Sequence, residues 1–114
     1  MSTKRYCLAL DLKDNPELIA AYEYYHRNDI VWPEILAGNK EVGIVSMDIY
    51  RAGNRLFMIM ETVPTFDLQR DFARLGTLPK QQEWAALMLT FQQRLPFASD
   101  DTLWVEMQCI FSQN

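Results

Sequence analysis

The period of the hydrophobic pattern along this chain switches from two residues to three or four and back, twice over, and that order of switches constrains the fold more than any other feature. Tyr6-Cys7-Leu8-Ala9-Leu10-Asp11-Leu12 puts large apolar side chains at even positions and smaller or polar ones between them, the alternation of a strand with one demanding face. Asn15 ahead of Pro16 then pairs a capping side chain with a proline at the first helical position. From Glu17 to about Asn28, the residues Ile19, Tyr22, His26 and Ile30 fall at spacings of three and four, which predicts a helix with one shared stripe. Trp32-Pro33 interrupts it, because a residue before proline is pushed out of the helical region. A second helical piece, Pro33 to Ala37, is expected to end at Gly38-Asn39.

Val42 to Arg51 and Leu56 to Val63 alternate as strands around the Gly/Asn turn Arg51-Ala52-Gly53-Asn54-Arg55, which predicts a hairpin. Asp67 is a candidate N-cap for a helix that carries Phe72 and Leu75 and ends at Gly76. Pro79 to about Leu95 reads as the longest amphipathic helix, through Trp84, Leu87, Met88, Phe91 and Leu95, with Pro96 as its stop. Leu103 to Phe111 reads as the last strand. Strand, helix, strand, strand, helix, strand is the split βαβ order, so the expected fold is α+β: a ferredoxin-like (βαββαβ) antiparallel sheet in one domain over residues 1–114. Helices on one face of such a sheet leave apolar groups bare on the other. The expected remedy is a homodimer with two sheets face to face, a dimeric α/β barrel.

Composition limits the partners. In 114 residues, 49% are hydrophobic and 23% charged, enough for a real core. Eleven basic against fifteen acidic residues give −4, and no basic cluster exceeds Lys4-Arg5, so phosphate-driven nucleic-acid binding is not expected. No apolar run approaches the roughly 20 residues of a membrane helix. The N-terminal residues pass quickly into alternation without a signal-like stretch, so the expectation is a cytoplasmic protein with no membrane partner. Cys7 and Cys109 have no CxxC spacing and read as small apolar fillers, and no metal site is expected.

Chemistry centres on His26, the one histidine. A lone imidazole is either a satisfied helix residue or the group that moves protons near neutral pH. Tyr22 lies one turn earlier on the same stripe, Tyr24 and Tyr25 adjoin, and Trp32-Pro33-Glu34 follows. A phenol, an imidazole and an indole at one helix end suit a carbohydrate, whose C–H faces stack on rings and whose hydroxyls need directional partners. One histidine cannot supply the ligands that heme or iron chemistry recruits, so no cofactor is expected. Alternation puts Ser46, Asp48 and Tyr50 on one face of the middle strand and Trp104, Glu106 and Gln108 on one face of the last, polar sets that would suit a sugar cleft.

Tyr22-Glu23-Tyr24-Tyr25-His26, then Val31-Trp32-Pro33-Glu34-Ile35, the run Ile49 to Glu61, and Glu83-Trp84 together resemble the L-rhamnose mutarotase family over nearly the whole chain. The resemblance implies a dimeric ferredoxin-like fold, no cofactor, and interconversion of the α and β anomers of a 6-deoxy sugar. It implies His26 as the acid/base residue and Tyr22 as a substrate-binding one, with Trp84 as the first of a Trp-Trp pair. The second position of that pair is Ala85, a sugar-contacting tyrosine falls at Met47, and His26 and Trp32 stand six residues apart rather than closer. These departures, with the run Tyr50-Arg51-Ala52-Gly53-Asn54-Arg55-Leu56-Phe57-Met58-Ile59-Met60-Glu61, resemble the L-fucose branch more than the L-rhamnose one. The expected substrate-binding set is thus Tyr22, Trp32, Met47, Asp48 and Trp84, although Met47 and Asp48 alternate and cannot line one flat face. The alternatives are an L-rhamnose mutarotase, a cofactor-independent dimeric monooxygenase on the same scaffold, or a non-catalytic sugar-binding module.

Overall fold

A computed structural model describes residues 2–113. The first strand, β1 (Lys4–Leu12), is the middle of the sheet, and its even positions Leu8, Leu10 and Leu12 are fully buried. Each such side chain contributes about 1.5–3 kcal/mol by leaving water. Helix α1 (Pro16–Tyr25) starts as its sequence predicts: the Asn15 side-chain oxygen accepts from the Glu17 and Leu18 amides at 2.9 and 3.1 Å, and Pro16 opens the first turn. Its end comes earlier than the hydrophobic stripe implies, so that His26 is the C-cap and Ile30 lies in the turns beyond.

Helix α2 (Pro33–Glu41) runs through Gly38 instead of stopping there. The glycine is used for closeness rather than for a turn: a Cβ on it would collide with Gln81 Nε2 and lie 3.1 Å from Leu75 Cδ1. Strands β2 (Ile44–Ala52) and β3 (Arg55–Thr62) form the expected antiparallel hairpin. Its loop is Gly53-Asn54, with φ +61° at Gly53 and no positive φ at Asn54, the pattern a II′ turn requires. A bulge at Val45 lies between the Ile44–Thr62 and Ser46–Glu61 pairs. Helix α3 (Leu68–Leu75) is capped by Asp67, which accepts from the Arg70 amide at 2.8 Å.

The C-terminal third departs most from expectation. Helix α4 (Gln81–Leu89) ends at Leu89, not near Leu95, because the chain turns at Thr90 to feed Gln92–Gln93 into the sheet as β4. The last strand, β5, is Val105–Glu106 alone. Both short strands pair antiparallel with the same edge of β1, β4 against Asp11 and Leu12 and β5 against Leu8 and Ala9. The fourth strand of the ferredoxin-like sheet is therefore split in two by the excursion through residues 94–104. One further bond, from the Met107 amide to the Cys7 carbonyl, extends the second part, and Ile110 and Phe111 are exposed.

The order β2-β3-β1-β4, with β5 also on β1, is the expected ferredoxin-like sheet. Register assigns the faces. Leu8 opposes Met58, which opposes Ile49, and this row packs under the helices with Val42, Phe66, Phe72 and Met47. Ala9, Phe57 and Tyr50 share the other face with Ile59 and Asp48, and among the described residues none of these belongs to the helix-packed core clusters. Cys7 is half-buried on that face, whereas Cys109 is exposed, so the reading of Cys109 as a packed filler is corrected. Among the described residues no helix is long and apolar enough to cross a membrane.

Candidate active site

Three elements converge at the C-terminal end of α1. The helix presents Tyr22 inward, where it is buried against Leu12, Leu56, Met88 and Phe91. One turn later, His26 lies over the Tyr22 ring with centroids 4.2 Å apart. The indole of Trp84, from α4, meets the imidazole edge-on at 5.4 Å, and Trp32, the residue before α2, meets Trp84 edge-on at 5.1 Å. Tyr22, His26, Trp84 and Trp32 thus form one continuous aromatic run, drawn from residues 62 positions apart in sequence.

The chemistry of His26 is set by its C-cap position. A helix leaves its last carbonyls unpartnered, and Nδ1 of His26 lies 2.8 Å from the carbonyl oxygen of Tyr22. A carbonyl can only accept, so Nδ1 carries the proton, and the neutral ring keeps its lone pair on Nε2. Burial lowers the His26 pKa from its ordinary 6.5, and the Tyr22 carbonyl, which favours the protonated ring, opposes that only in part. The imidazole is consequently neutral and basic at pH 7. Burial raises the Tyr22 phenol well above its usual range, with the Gln92 amide as a smaller opposing influence, so this hydroxyl stays protonated.

A cavity of about 250 Å³ opens beside these groups, lined by Tyr22, Glu23, His26, Ile49, Arg51 and Leu56. At about 30 Å³ per water of liquid, it holds roughly eight waters, the space of one monosaccharide. A larger outer hollow of about 560 Å³ shares Glu23 and Arg51 with it and continues past Asp14, Ile19 and Asn54.

The sequence-predicted residues separate on this geometry. Tyr22 and His26 line the cavity, Trp84 touches His26, and Trp32 lies one ring further out. Met47 is on the cavity side of the sheet but is packed into the core with Met60, its cross-strand partner. Asp48 points to the opposite face, where it pairs with Ile59, and is corrected out of the site. The bulge at Val45 precedes both residues and does not bring them to one face. Glu23 and Arg51 are cavity residues that sequence reasoning passed over, although Arg51 has the parity of Met47 and Ile49, a cation continuing an apolar row.

A cavity of about 250 Å³ on a ferredoxin-like sheet, bordered by an imidazole, a phenol, a carboxylate and a guanidinium, matches a monosaccharide in size and in hydrogen-bonding chemistry. Comparison with known proteins agrees with that match. The family model described as L-rhamnose mutarotase matches residues 5–113. An L-fucose mutarotase of Xanthomonas campestris is 41% identical over 112 residues, covering 98% of this chain and 90% of that protein. A Dictyostelium discoideum protein whose name states no activity is 38% identical over 112 residues, covering 95% and 88%. The crystal structure of an L-rhamnose mutarotase from Formosa agariphila superposes with a TM-score of 0.69 at 20% identity, over 97% of this chain and 99% of that one. The chain belongs to the L-rhamnose mutarotase family.

Proposed function

We propose that this protein is a cofactor-free mutarotase that interconverts the α and β anomers of a 6-deoxy sugar, L-fucose before L-rhamnose, with His26 as the proton-transfer group. The observation that carries the catalytic assignment is the bond from His26 Nδ1 to the Tyr22 carbonyl, which leaves Nε2 as the basic nitrogen beside the cavity. Family membership and the 41% identity to an L-fucose mutarotase support the reaction and the choice of sugar.

The reaction fits a single imidazole. Nε2 takes the proton from the anomeric hydroxyl as the bond between the anomeric carbon and the ring oxygen breaks, and the imidazolium returns that proton to the ring oxygen. The two oxygens share one carbon, so the transfer spans little distance. Rotation about the adjacent carbon–carbon bond turns the aldehyde over, and the reverse steps close the ring on its other face. Burial disfavours the imidazolium, so the ring that has taken the proton gives it up readily to the ring oxygen and returns to its neutral form. Tyr22, Ile49 and Leu56 give the cavity a carbon surface against which the sugar's C–H groups pack, while Trp84, backed by Trp32, packs against the imidazole edge-on.

The same reading takes the protein as a cytoplasmic homodimer. Support for the dimer is the sheet face away from the core clusters, where Tyr50 is more than half exposed beside half-buried Phe57 and Ile59. Sedimentation that gives a monomer mass at micromolar concentration contradicts it.

Saturation-transfer NMR on the anomeric protons tests the function. Catalytic amounts of protein should accelerate α/β exchange of L-fucose, and L-rhamnose less. Exchange of both sugars at the buffer rate sinks the proposal, and faster exchange of L-rhamnose moves the protein to the other branch.

A further inference from the structure

Besides Tyr22, whose phenol is buried beside Gln92, the cavity wall has three side chains able to bond a hydroxyl: His26, Glu23 and Arg51. Ile49 and Leu56 complete it and offer nothing polar. A neutral sugar brings several hydroxyls, each a donor and an acceptor, and a hydroxyl that leaves water without a partner weakens binding. If His26 works at the anomeric end, the remaining hydroxyls have Glu23 and Arg51.

These two residues are held as one unit. Arg51 Nε donates to Glu23 Oε2 at 2.7 Å, and Arg51 Nη1 donates to the Gly53 carbonyl at 2.7 Å. The second bond ties the guanidinium to the hairpin turn, whose shape depends on the positive φ of Gly53. Two of the five guanidinium N–H groups are thereby engaged, and among the described residues the others have no partner. Glu23 Oε1 accepts no hydrogen bond from the described residues. The result is a fixed plane with donors beside an acceptor, complementary to a pair of neighbouring hydroxyls. Both side chains remain reachable, at 37% exposure for Arg51 and 53% for Glu23, and both border the inner cavity and the outer hollow. A purely structural surface ion pair would gain little from this placement.

We infer that the Glu23–Arg51 pair is the specificity-determining clamp of this site, holding the vicinal 3,4-diol of the sugar while His26 acts at the anomeric carbon. The inference rests on the sugar reading above. In L-fucose the 4-hydroxyl is axial and leaves the ring plane beside an equatorial 3-hydroxyl, whereas in L-rhamnose both are equatorial. A rigid donor–acceptor fork distinguishes these two arrangements, and an apolar wall does not.

The test pairs calorimetric binding with anomer exchange, using L-fucose, L-rhamnose and 4-deoxy-L-fucose on the wild type, Arg51→Gln, Arg51→Lys and Glu23→Gln. Arg51→Gln should weaken L-fucose binding about tenfold to a hundredfold, as loss of a charged hydrogen bond does. It should raise KM by a similar factor with kcat little changed, and leave 4-deoxy-L-fucose bound as weakly as by the wild type. Arg51→Lys, which keeps charge without the fork, should fall between. Equal binding of L-fucose by wild type and Arg51→Gln, in variants that melt like the wild type, overturns the clamp. So does an equal loss for L-fucose and its 4-deoxy analogue, or a wild type that binds neither sugar. Arg51-dependent binding of L-fucose without any catalysed exchange would uphold the clamp and refute the mutarotase reading instead.

Discussion

Replacing Gly38 with alanine tests how the aromatic wall is held. In an isolated helix this change stabilises by about 0.5–1 kcal/mol. Here the new Cβ would overlap Gln81 Nε2 and crowd Leu75 Cδ1 at 3.1 Å. Gln81 is buried, and its amide donates to the Glu34 carbonyl at 3.0 Å, tying the start of α4 to the first turn of α2. Displacing that amide leaves a buried polar group unpaired at a cost of about 1–3 kcal/mol, and forced repacking adds a comparable amount. The helix gain does not offset this, so we expect a net loss of about 1–5 kcal/mol and a melting temperature lower by roughly 5–20 °C. Because α2 follows Trp32 and α4 carries Trp84, the tryptophan fluorescence should change as well. Thermal melts in a double-mutant cycle with Gln81→Ala isolate the cause: Gly38→Ala should cost little, or stabilise, once the amide is gone. An identical cost in both backgrounds would refute the close-approach explanation.

Two predictions concern pH. Burial holds the His26 pKa below 6.5, so kcat/KM should be flat above that value and fall on its acid side as the imidazole takes up the proton that disables it. A profile whose acid limb lies above pH 6.5 contradicts the buried neutral imidazole. Asp71 accepts from Arg70 and Arg74 and from the Asp67 amide, and these bonds, that to Arg70 foremost, lower its pKa from 3.8 to about 2. A depressed carboxylate stabilises the fold above its unfolded pKa. The contribution of Asp71 is therefore present in full above about pH 4 and is lost as pH falls toward 2. Acid titration of stability should show a shallower decline over that range for Asp71→Asn than for the wild type, and an unchanged slope would argue against it.

Much of this architecture was legible because local signals and packing agree. The even-position leucines of β1 are the buried ones, Asn15 and Asp67 cap the helices they precede, and Gly53-Asn54 makes the hairpin. Gly38 misled because glycine serves both as a helix stop and as a point of close contact, and only the tertiary partner Gln81 distinguishes the two. The end of α4 misled for a related reason. Phe91 continues the helical spacing of Trp84 and Met88, yet it reaches the same core from beyond the helix, after which Gln92 and Gln93 occupy part of the free edge of β1. β5 then pairs further along the same edge, at Leu8 and Ala9.

The site divides in the same way. His26 and Tyr22 were evident as neighbours on one helical stripe, whereas the role of the main chain in fixing the imidazole tautomer depends on where α1 ends. Arg51 and Glu23 lie 28 positions apart, and a pairing across a helix and a strand has no local periodicity to betray it. Asp48 attracted attention as a carboxylate in a strand, but its parity, fixed by the Met47–Met60 and Asp48–Ile59 pairs, turns it away from the cavity.

The central claim is that the His26 imidazole moves the proton. Anomer exchange of L-fucose should be measured for the wild type and for His26→Gln, a variant that retains a hydrogen-bonding side chain at the helix end but no group that titrates near neutrality. Calorimetry should be run alongside to confirm that the variant still binds the sugar. The account predicts exchange at the buffer rate in a folded variant that binds L-fucose with nearly wild-type affinity. Exchange within a few fold of the wild-type rate would contradict it and place the proton transfer on another group.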